Sequence, residues 1–379
     1  MSKKKIRVEL RKNRSKPPRE NDITRSYHED AGQAEDAHTS ERVRAKGAIS
    51  RYRTIVQDGD GNVQPSVDAE AIRGRVIRAH GLASVVEADD GRLFRCAVRR
   101  LLKSLATEER NAVTTGDIVW FREAKGESEG LIERVEPRRG VLTRSSRRRE
   151  HIIVANVDQL VIVVSLVEPE LKPHLIDRYI AAAVKGELKP ILCLNKADLA
   201  DPVELQPLVG AYSQLGIPTI LTSARSGAGI GRLRGLLAGR ATVFSGQSGV
   251  GKSSLLNAVQ PELGLAVKTV SDVNQKGRHT TTYAQLIKLN FGGWVVDTPG
   301  VRQLALWDTR PEEVEGYFSD FRPFVPHCSF PDCTHTHESG CAVQDAVSRQ
   351  LISPRRYHSY LGMFRGDDES AIKPSRERS

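Results

Sequence analysis

The sequence has no uninterrupted apolar run near the roughly 18 residues that a membrane span requires. Its most apolar stretch, Ile152 to Val167, is broken by Asn156, Asp158 and Gln159, so neither a bilayer crossing nor a membrane partner is expected. No internal repeat is present, and neither a coiled-coil pattern nor an extended apolar surface helix is evident, which leads to the expectation of a monomer. The basic N-terminus lacks the apolar segment of a secretory signal. Cysteine is scarce and odd in number, five in 379 residues, with three of the five gathered near histidine. That usage speaks against a disulfide framework and for a reduced, cytoplasmic protein with one metal site.

The chain has length for two or three domains at roughly 150 residues each. A hydrophobic content of 39% suffices for a core in each of them. Lys and Arg number 57 against 47 Asp and Glu, giving a formal charge of +10, and nine of the basic residues fall between Lys3 and Arg19. Polyanions are the natural partners of such a surface.

Residues 1–68 are rich in charged and small polar residues and show no periodicity, so a disordered basic extension is expected there. Short β-rich runs follow, Gly74 to Ile77, Ala83 to Glu87, Leu93 to Val98, Asp117 to Phe121 and Leu131 to Val135, separated by turn signals such as Asp90-Gly91. Five strands in that space predict a small barrel over residues 69–142, an OB-fold ahead of an SH3-like alternative. Pro137 to Glu150 reads as a linker carrying Arg144, Arg147, Arg148 and Arg149.

From residue 143 to 303, buried strand-like runs alternate with helical patterns, which predicts an α/β domain with a parallel sheet covered on both faces. Residues 304–379 change character: Pro311 to Phe318 and Ala342 to Leu351 read as helices around a Cys/His loop. A small helical domain is expected there.

Three motifs in the α/β region carry chemistry. Gly246-Gln247-Ser248-Gly249-Val250-Gly251-Lys252-Ser253 lies between the β-run Ala241 to Ser245 and a helical stretch beginning at Ser254, the context a P-loop requires. Glycines let backbone amides close around phosphates, Lys252 should reach the β and γ phosphates, and Ser253 should ligate Mg²⁺; Ser254 belongs to the same nucleotide-binding set. Asp297-Thr298-Pro299-Gly300 ends an apolar run, placing Asp297 where it can hold Mg²⁺ through water and Gly300 where its amide meets the γ-phosphate. Asn195-Lys196-Ala197-Asp198 ends another strand and offers a carboxylate to the N1 and N2 donors of guanine, a pair adenine lacks. Lys196 can lie over the base, Asn195 can brace the loop, and Ser223-Ala224 can reach guanine O6 through a backbone amide.

Together these are the motifs of Ras-like GTPases, but the guanine-reading motifs come first and Asp297 last, the order of circularly permuted GTPases. The γ-phosphate-sensing segment therefore leads directly into the C-terminal domain. Val301 stands where Ras-like enzymes carry the glutamine that orients water, so slow intrinsic turnover is expected. Gly277 to Thr282 is the natural switch segment. Within it Thr281 is the expected second Mg²⁺ ligand, with Thr280 as its rival, and His279 is the candidate for orienting the attacking water.

Cys328-x4-Cys333-x-His335-x5-Cys341 supplies three sulfurs and an imidazole within fourteen positions. Such a set closes a tetrahedral Zn²⁺ shell and leaves no position for substrate, so the expected site is structural. His337 is equally able to ligate on spacing alone. Cys96 and Cys193 sit in apolar runs and read as core.

A β-barrel, a permuted GTPase and this Cys/His loop together resemble the RsgA family, also called YjeQ or EngC, over about residues 71 to 365. The features that carry the resemblance are Gly246 to Ser253, the Gly277-Arg278-His279-Thr280-Thr281-Thr282 switch and the metal-loop spacing, whose family pattern selects His335. The resemblance implies an N-terminal OB-fold and GTP hydrolysis to GDP stimulated by the small (30S) ribosomal subunit. It also implies binding to 16S rRNA and a part in late subunit maturation, with hydrolysis driving release. The alternative is an RNA-binding scaffold whose nucleotide site is chiefly structural.

Overall fold

The computed structural model describes residues 4–9, 52–57, 70–80, 83–98, 102, 112–124, 128–146, 149–167, 169, 171–265, 284–297 and 310–366. The chain divides into two compact units. One comprises Met1–Arg139, Glu150–Asn156 and Tyr283–Leu286, and the other Gly140–Arg149, Val157–Thr282 and Ile287–Ser379.

In the first unit, periodicity marks no element before residue 69, yet β1 (Lys4–Glu9) pairs antiparallel with β2 (Tyr52–Gln57), Ile6 opposite Ile55. Each strand carries only two or three apolar residues among charges, and its partner lies more than forty positions away, so no local pattern announces it. The barrel follows as β3 (Ile72–His80), β4 (Ala83–Ala88), β5 (Leu93–Val98), β6 (Ile118–Glu123) and β7 (Glu129–Val135). Side chains alternate in and out with the strand period, so Val86, Phe94, Cys96, Val119, Phe121 and Ile132 fill the interior. The Phe94 and Phe121 rings meet at 4.9 Å.

Strand β3 bonds to both β4 and β6, β5 runs parallel to β7, and β6 pairs with β7, which closes the five strands on themselves. This is the OB-type barrel expected from the turn spacing. At Gly74, on the strand shared between both neighbours, a Cβ would lie 2.7 Å from the Glu87 carbonyl oxygen, so the crossing of β3 tolerates no side chain there.

The expected linker from Pro137 to Glu150 is not free of structure: β8 (Leu142–Ser146) and β9 (Arg149–Val154) form in and beyond it. Its beginning is clamped to the barrel. The fully buried Asp117 accepts two hydrogen bonds from Arg138, at 2.8 and 2.9 Å, and another at 2.7 Å from the Thr114 amide. Charged residues in a run read as solvated on pattern alone, and nothing local signals that Asp117 is their buried partner.

The second unit holds a sheet of five parallel strands in the order β12 (Thr219–Leu221), β11 (Lys189–Asn195), β10 (Gln159–Ser165), β13 (Ala241–Ser245), β15 (Trp294–Asp297). The short β14 (Gln285–Lys288) precedes β15 in the chain. Every residue of β10 and β13 is buried, as parallel strands covered on both faces require. Helices α1 (Pro173–Lys185), α2 (Pro202–Ser213), α3 (Ile230–Leu237) and α4 (Lys252–Val259) alternate with the strands. Proline opens α1 and α2 at the position where a missing amide costs nothing, and the Asp201 side chain caps α2 through the Val203 amide at 2.9 Å.

The C-terminal region of this unit is helical, with α5 (Pro311–Val314), α6 (Ala342–Ser348) and α7 (Pro354–Arg365) around the Cys/His loop. Helix α7 is an addition to the sequence reading. Pro354 starts it and Gly366, at φ 70°, ends it, but its polar face, Arg355 and His358, obscures the buried one, Arg356, Ser359 and Tyr360.

Candidate functional site

Because the sheet is parallel, the loops that follow its strands all open at one edge. The Asn195 to Asp198 loop follows β11, Ser223-Ala224 follows β12, the P-loop follows β13, and Asp297 ends β15. Four segments scattered over a hundred residues of sequence meet at the strand ends where α/β folds bind ligands.

The P-loop has the backbone its glycines allow. Gly246 takes φ 144°, where a Cβ would stand 2.0 Å from the Val163 carbonyl oxygen, and Gly251 takes φ 92°, with the Asn195 amide nitrogen 2.5 Å from where its Cβ would be. Gly251 sits at the start of α4, so the first-turn amides of that helix face the loop. The Lys252 ammonium donates to the carbonyls of Gly246 and Gln247, both at 2.7 Å. The cation thus lies folded over the loop, in reach of the space the loop encloses.

Asn195 ties the guanine-type loop to the P-loop. Its side-chain amide donates to the Val250 carbonyl at 2.8 Å, and its side-chain oxygen accepts from the Thr222 hydroxyl at 3.3 Å. Thr222 lies 3.2 Å from the Cys193 sulfur, and its carbonyl accepts from the Ala197 amide, so one buried threonine joins β11, β12 and the loop after β11. Thr222 is not singled out by the sequence, because a threonine at the end of a strand-like run gives no motif signal. Burial pushes the Cys193 thiol up to about 12, which keeps it neutral and in the core as expected.

Lys196 adopts the left-handed conformation at φ 61°, turning the chain sharply enough to present Asp198 at the surface. The Ser223 hydroxyl beside Asp198 is the first cause holding its carboxyl below the usual carboxylate range, with Arg225 and Lys196 adding positive field. Ser223 is itself buried and receives the Ser226 amide at 3.1 Å, so its hydroxyl oxygen is an acceptor while its proton is free to serve the carboxylate. Ser253 and Ser254 lie half-buried in the first turn of α4. His279, Thr280, Thr281 and Gly300, together with Arg147 and Arg148, lie outside the described residues, and of Asp297 the backbone alone is described.

At the helical end, Cys328, Cys333, His335 and Cys341 bring their ligand atoms within 4.8 Å of one another, a group that can hold a metal ion. The His335 Nδ1 atom is 3.6 Å from the Cys328 sulfur and 3.4 Å from the Cys341 sulfur. The two histidines differ in setting: His335 is fully buried in the cluster, whereas the His337 side chain is 81% exposed and its Nδ1 bonds the Thr336 hydroxyl. Three sulfurs and one nitrogen in this compactness suit zinc chemistry and leave no open position. Burial pushes the Cys333 thiol up to about 12, an opposition that a bound dication would reverse by stabilising the thiolate.

The frame that holds this loop was invisible in the sequence. Tyr357 and Tyr360, on α7, donate their hydroxyls to the carbonyls of His335 and Thr334, both at 2.7 Å. Glu338 receives the amides of Thr334, Thr336 and His337 at 2.8, 3.0 and 3.1 Å. Although burial works the other way, the bonds from Thr334 and those amides hold the Glu338 carboxyl far below the usual range. The same region is joined to the α/β layer through Arg356 of α7, whose side chain is 5% exposed and donates to Asp177 of α1 at 2.6 Å and twice to Asp320, at 2.8 and 2.7 Å. Burial disfavours that guanidinium charge, but the Asp320 and Asp177 carboxylates more than offset it.

A parallel sheet that reads guanine-type loops before its P-loop, and reaches the Asp297 strand last, is the mark of a circularly permuted P-loop GTPase. Comparison with known proteins agrees. Residues 135–307 match the family model for the RsgA GTPase. The chain is 40% identical over 303 residues to the small ribosomal subunit biogenesis GTPase RsgA of Sodalis glossinidius, covering 78% of this chain and 86% of that protein. It is 34% identical over 308 residues to the protein of the same name from Phocaeicola vulgatus, covering 80% and 99%. Among solved structures, YjeQ from Thermotoga maritima matches with a TM-score of 0.64 at 37% identity, covering 78% of this chain and 98% of that one. YloQ, described as a circularly permuted GTPase, matches with a TM-score of 0.63 at 27% identity over 80% and 98%. The chain belongs to the RsgA GTPase family, and it is a GTP-hydrolysing enzyme.

Proposed function

We propose that this protein binds the small (30S) ribosomal subunit and its 16S rRNA, assists the subunit's late maturation in the cytoplasm as a monomer, and leaves it when the subunit stimulates GTP hydrolysis. The observation that carries the reading is the meeting of the Asn195 loop, Ser223 and the P-loop at one sheet edge, in a chain whose relatives are named for small-subunit biogenesis.

In this reading residues 1–68 form a basic extension that carries the β1–β2 pair, 69–142 the OB-fold that meets RNA, 143–303 the GTPase, and 304–379 the zinc-binding helical domain. Lys252 exchanges the Gly246 and Gln247 carbonyls for β- and γ-phosphate oxygens, and the amides from Gly249 to Ser254 enclose the phosphates. Asp198 accepts from guanine N1 and N2 with Ser223 keeping it ionised, Lys196 covers the base, and the Ala224 amide meets O6. Ser253 and Thr281 ligate Mg²⁺, Asp297 holds it through water, Gly300 contacts the γ-phosphate, and His279 orients the attacking water in place of the missing glutamine. One structural Zn²⁺ sits on Cys328, Cys333, His335 and Cys341. Basic side chains including Arg144, Arg147, Arg148 and Arg149 supply phosphate contacts.

GTP turnover is measured with the purified protein alone and with small subunits, large subunits or 70S ribosomes, ATP serving as control. Strong stimulation by small subunits is expected, with no competition from excess ATP. Tight GTP binding without stimulation by any ribosomal particle would overturn the reading in favour of an RNA-binding scaffold.

A further inference from the structure

The metal loop takes its ligands from residues 328 to 341, but the far side of its histidine is held from elsewhere. Glu315, in the single 3-10 turn that follows α5, places Oε2 at 3.1 Å from the His335 Nε2 atom. The two ring nitrogens therefore face different chemistry. Nδ1 points among the sulfurs, 3.4 and 3.6 Å from two of them, and Nε2 points at a carboxylate.

An imidazole that donates from Nε2 carries its lone pair on Nδ1, so the carboxylate selects the tautomer able to ligate through the nitrogen already inside the cluster. The Phe321 ring meets the imidazole edge-on at 6.1 Å, and Tyr357 fixes the His335 carbonyl at 2.7 Å, so the ring has little freedom to flip and offer Nε2 instead. His335 itself is at φ 56°, a left-handed conformation uncommon outside glycine.

We propose that Glu315 is the outer-sphere carboxylate of the metal centre: it holds His335 as the Nε2-protonated tautomer, makes Nδ1 the ligating atom, and sets how long the metal is retained. This rests on the zinc reading above. Supporting carboxylates of this kind change metal affinity by roughly 10- to 100-fold when removed. Glu315 lies 13 positions before the first metal-binding cysteine and outside its spacing motif. The proposal thus extends the centre from the loop to the helical segment that leads into it. Glu313, two positions earlier and 4.0 Å from Lys185 instead, is the natural control.

The test uses the full-length protein. Metal content is first measured by plasma mass spectrometry. Zinc release to a chromogenic chelator is then timed for wild type, Glu315→Ala, Glu315→Gln and Glu313→Gln, with folding monitored by circular dichroism. Release about 10- to 100-fold faster is expected for Glu315→Ala. Glu315→Gln, whose amide oxygen still accepts the proton, should fall between it and wild type, and Glu313→Gln should match wild type. Long-range ¹H–¹⁵N spectra of the wild-type protein should show a protonated His335 Nε2 and a metal-shifted Nδ1. A metal-shifted Nε2, or a Glu315→Ala release rate within about twofold of wild type, would overturn the proposal. Absence of zinc from the wild-type protein would instead overturn the zinc reading on which it rests.

Discussion

The nucleotide edge and the metal loop, both in the same unit, are built on opposite plans. The nucleotide edge is made of backbone: four loops at the ends of parallel strands, positioned by the sheet, with glycines where a side chain would collide with the Val163 carbonyl or with Asn195. The metal loop has no sheet beneath it, and it is held by side chains reaching in from a distance, Tyr357 and Tyr360 from α7, Glu315 from the turn after α5 and Glu338 from within. A site positioned by backbone depends on a few residue types in a fixed short order. A site positioned by side chains depends on partners that share no sequence neighbourhood.

The largest effect separating the two plans is expected at Arg356. Arg356→Ala leaves Asp177 buried without its cation, alongside the Tyr212 hydroxyl at 3.1 Å. Breaking a buried pair from one side costs about 3–5 kcal/mol, so chemical denaturation should show a loss of that order. Arg356→Met combined with Asp177→Leu should recover part of it, because the fully buried Asp177 charge leaves with its cation, while Asp320 still loses its two bonds from Arg356. A loss below about 1 kcal/mol for Arg356→Ala would mean that the side-chain plan contributes little to the helical region. An intermediate effect is expected at the nucleotide edge and in function instead of stability. Asp198 is exposed, so Asp198→Asn should leave denaturation unchanged while its amide oxygen accepts from one guanine donor at most and its NH2 opposes the other, a loss of about 1.5–3 kcal/mol for the hydrogen bond to a charged acceptor. GTP turnover at low substrate should fall about 100-fold or more, and XTP, which has a carbonyl where guanine has its amino group, should gain on GTP. An unchanged ratio of the two nucleotides would remove Asp198 from base reading.

These contrasting plans also explain what was legible in the sequence. Gly246 to Ser253, Asn195 to Asp198 and Cys328 to Cys341 are local strings whose spacing is the chemistry, and the barrel and the alternating strands and helices announced themselves by period and turn residues. The pairing of Asp117 with Arg138, of Asp177 with Arg356 and of Glu315 with His335 spans 21, 179 and 20 positions, and in each case a charged residue reads as solvated until the fold supplies its partner. Helix α7 escaped notice for the same reason, since its buried face is Arg356, Ser359 and Tyr360 instead of an aliphatic stripe. Choosing His335 over His337 needed the family pattern at the level of sequence and burial at the level of structure.

The smallest effect sharpens the comparison most. Tyr360 is 1% exposed, packs against Phe318 at 5.5 Å and Phe321 at 4.9 Å, and donates to the Thr334 carbonyl next to His335. Tyr360→Phe keeps the rings and removes one hydroxyl, leaving a half-buried carbonyl short of a partner, a cost of about 0.5–1.5 kcal/mol. If side chains alone position the loop, that loss should appear as earlier release of zinc as well as a lower unfolding midpoint, while GTP turnover in the absence of ribosomes stays at its wild-type level. If the midpoint falls but metal release is unchanged, the tyrosine stabilises the core without positioning the ligands. The loop's geometry would then reside in Glu338 and its three amide bonds, a local plan nearer to that of the P-loop than the long-range hydrogen bonds suggest.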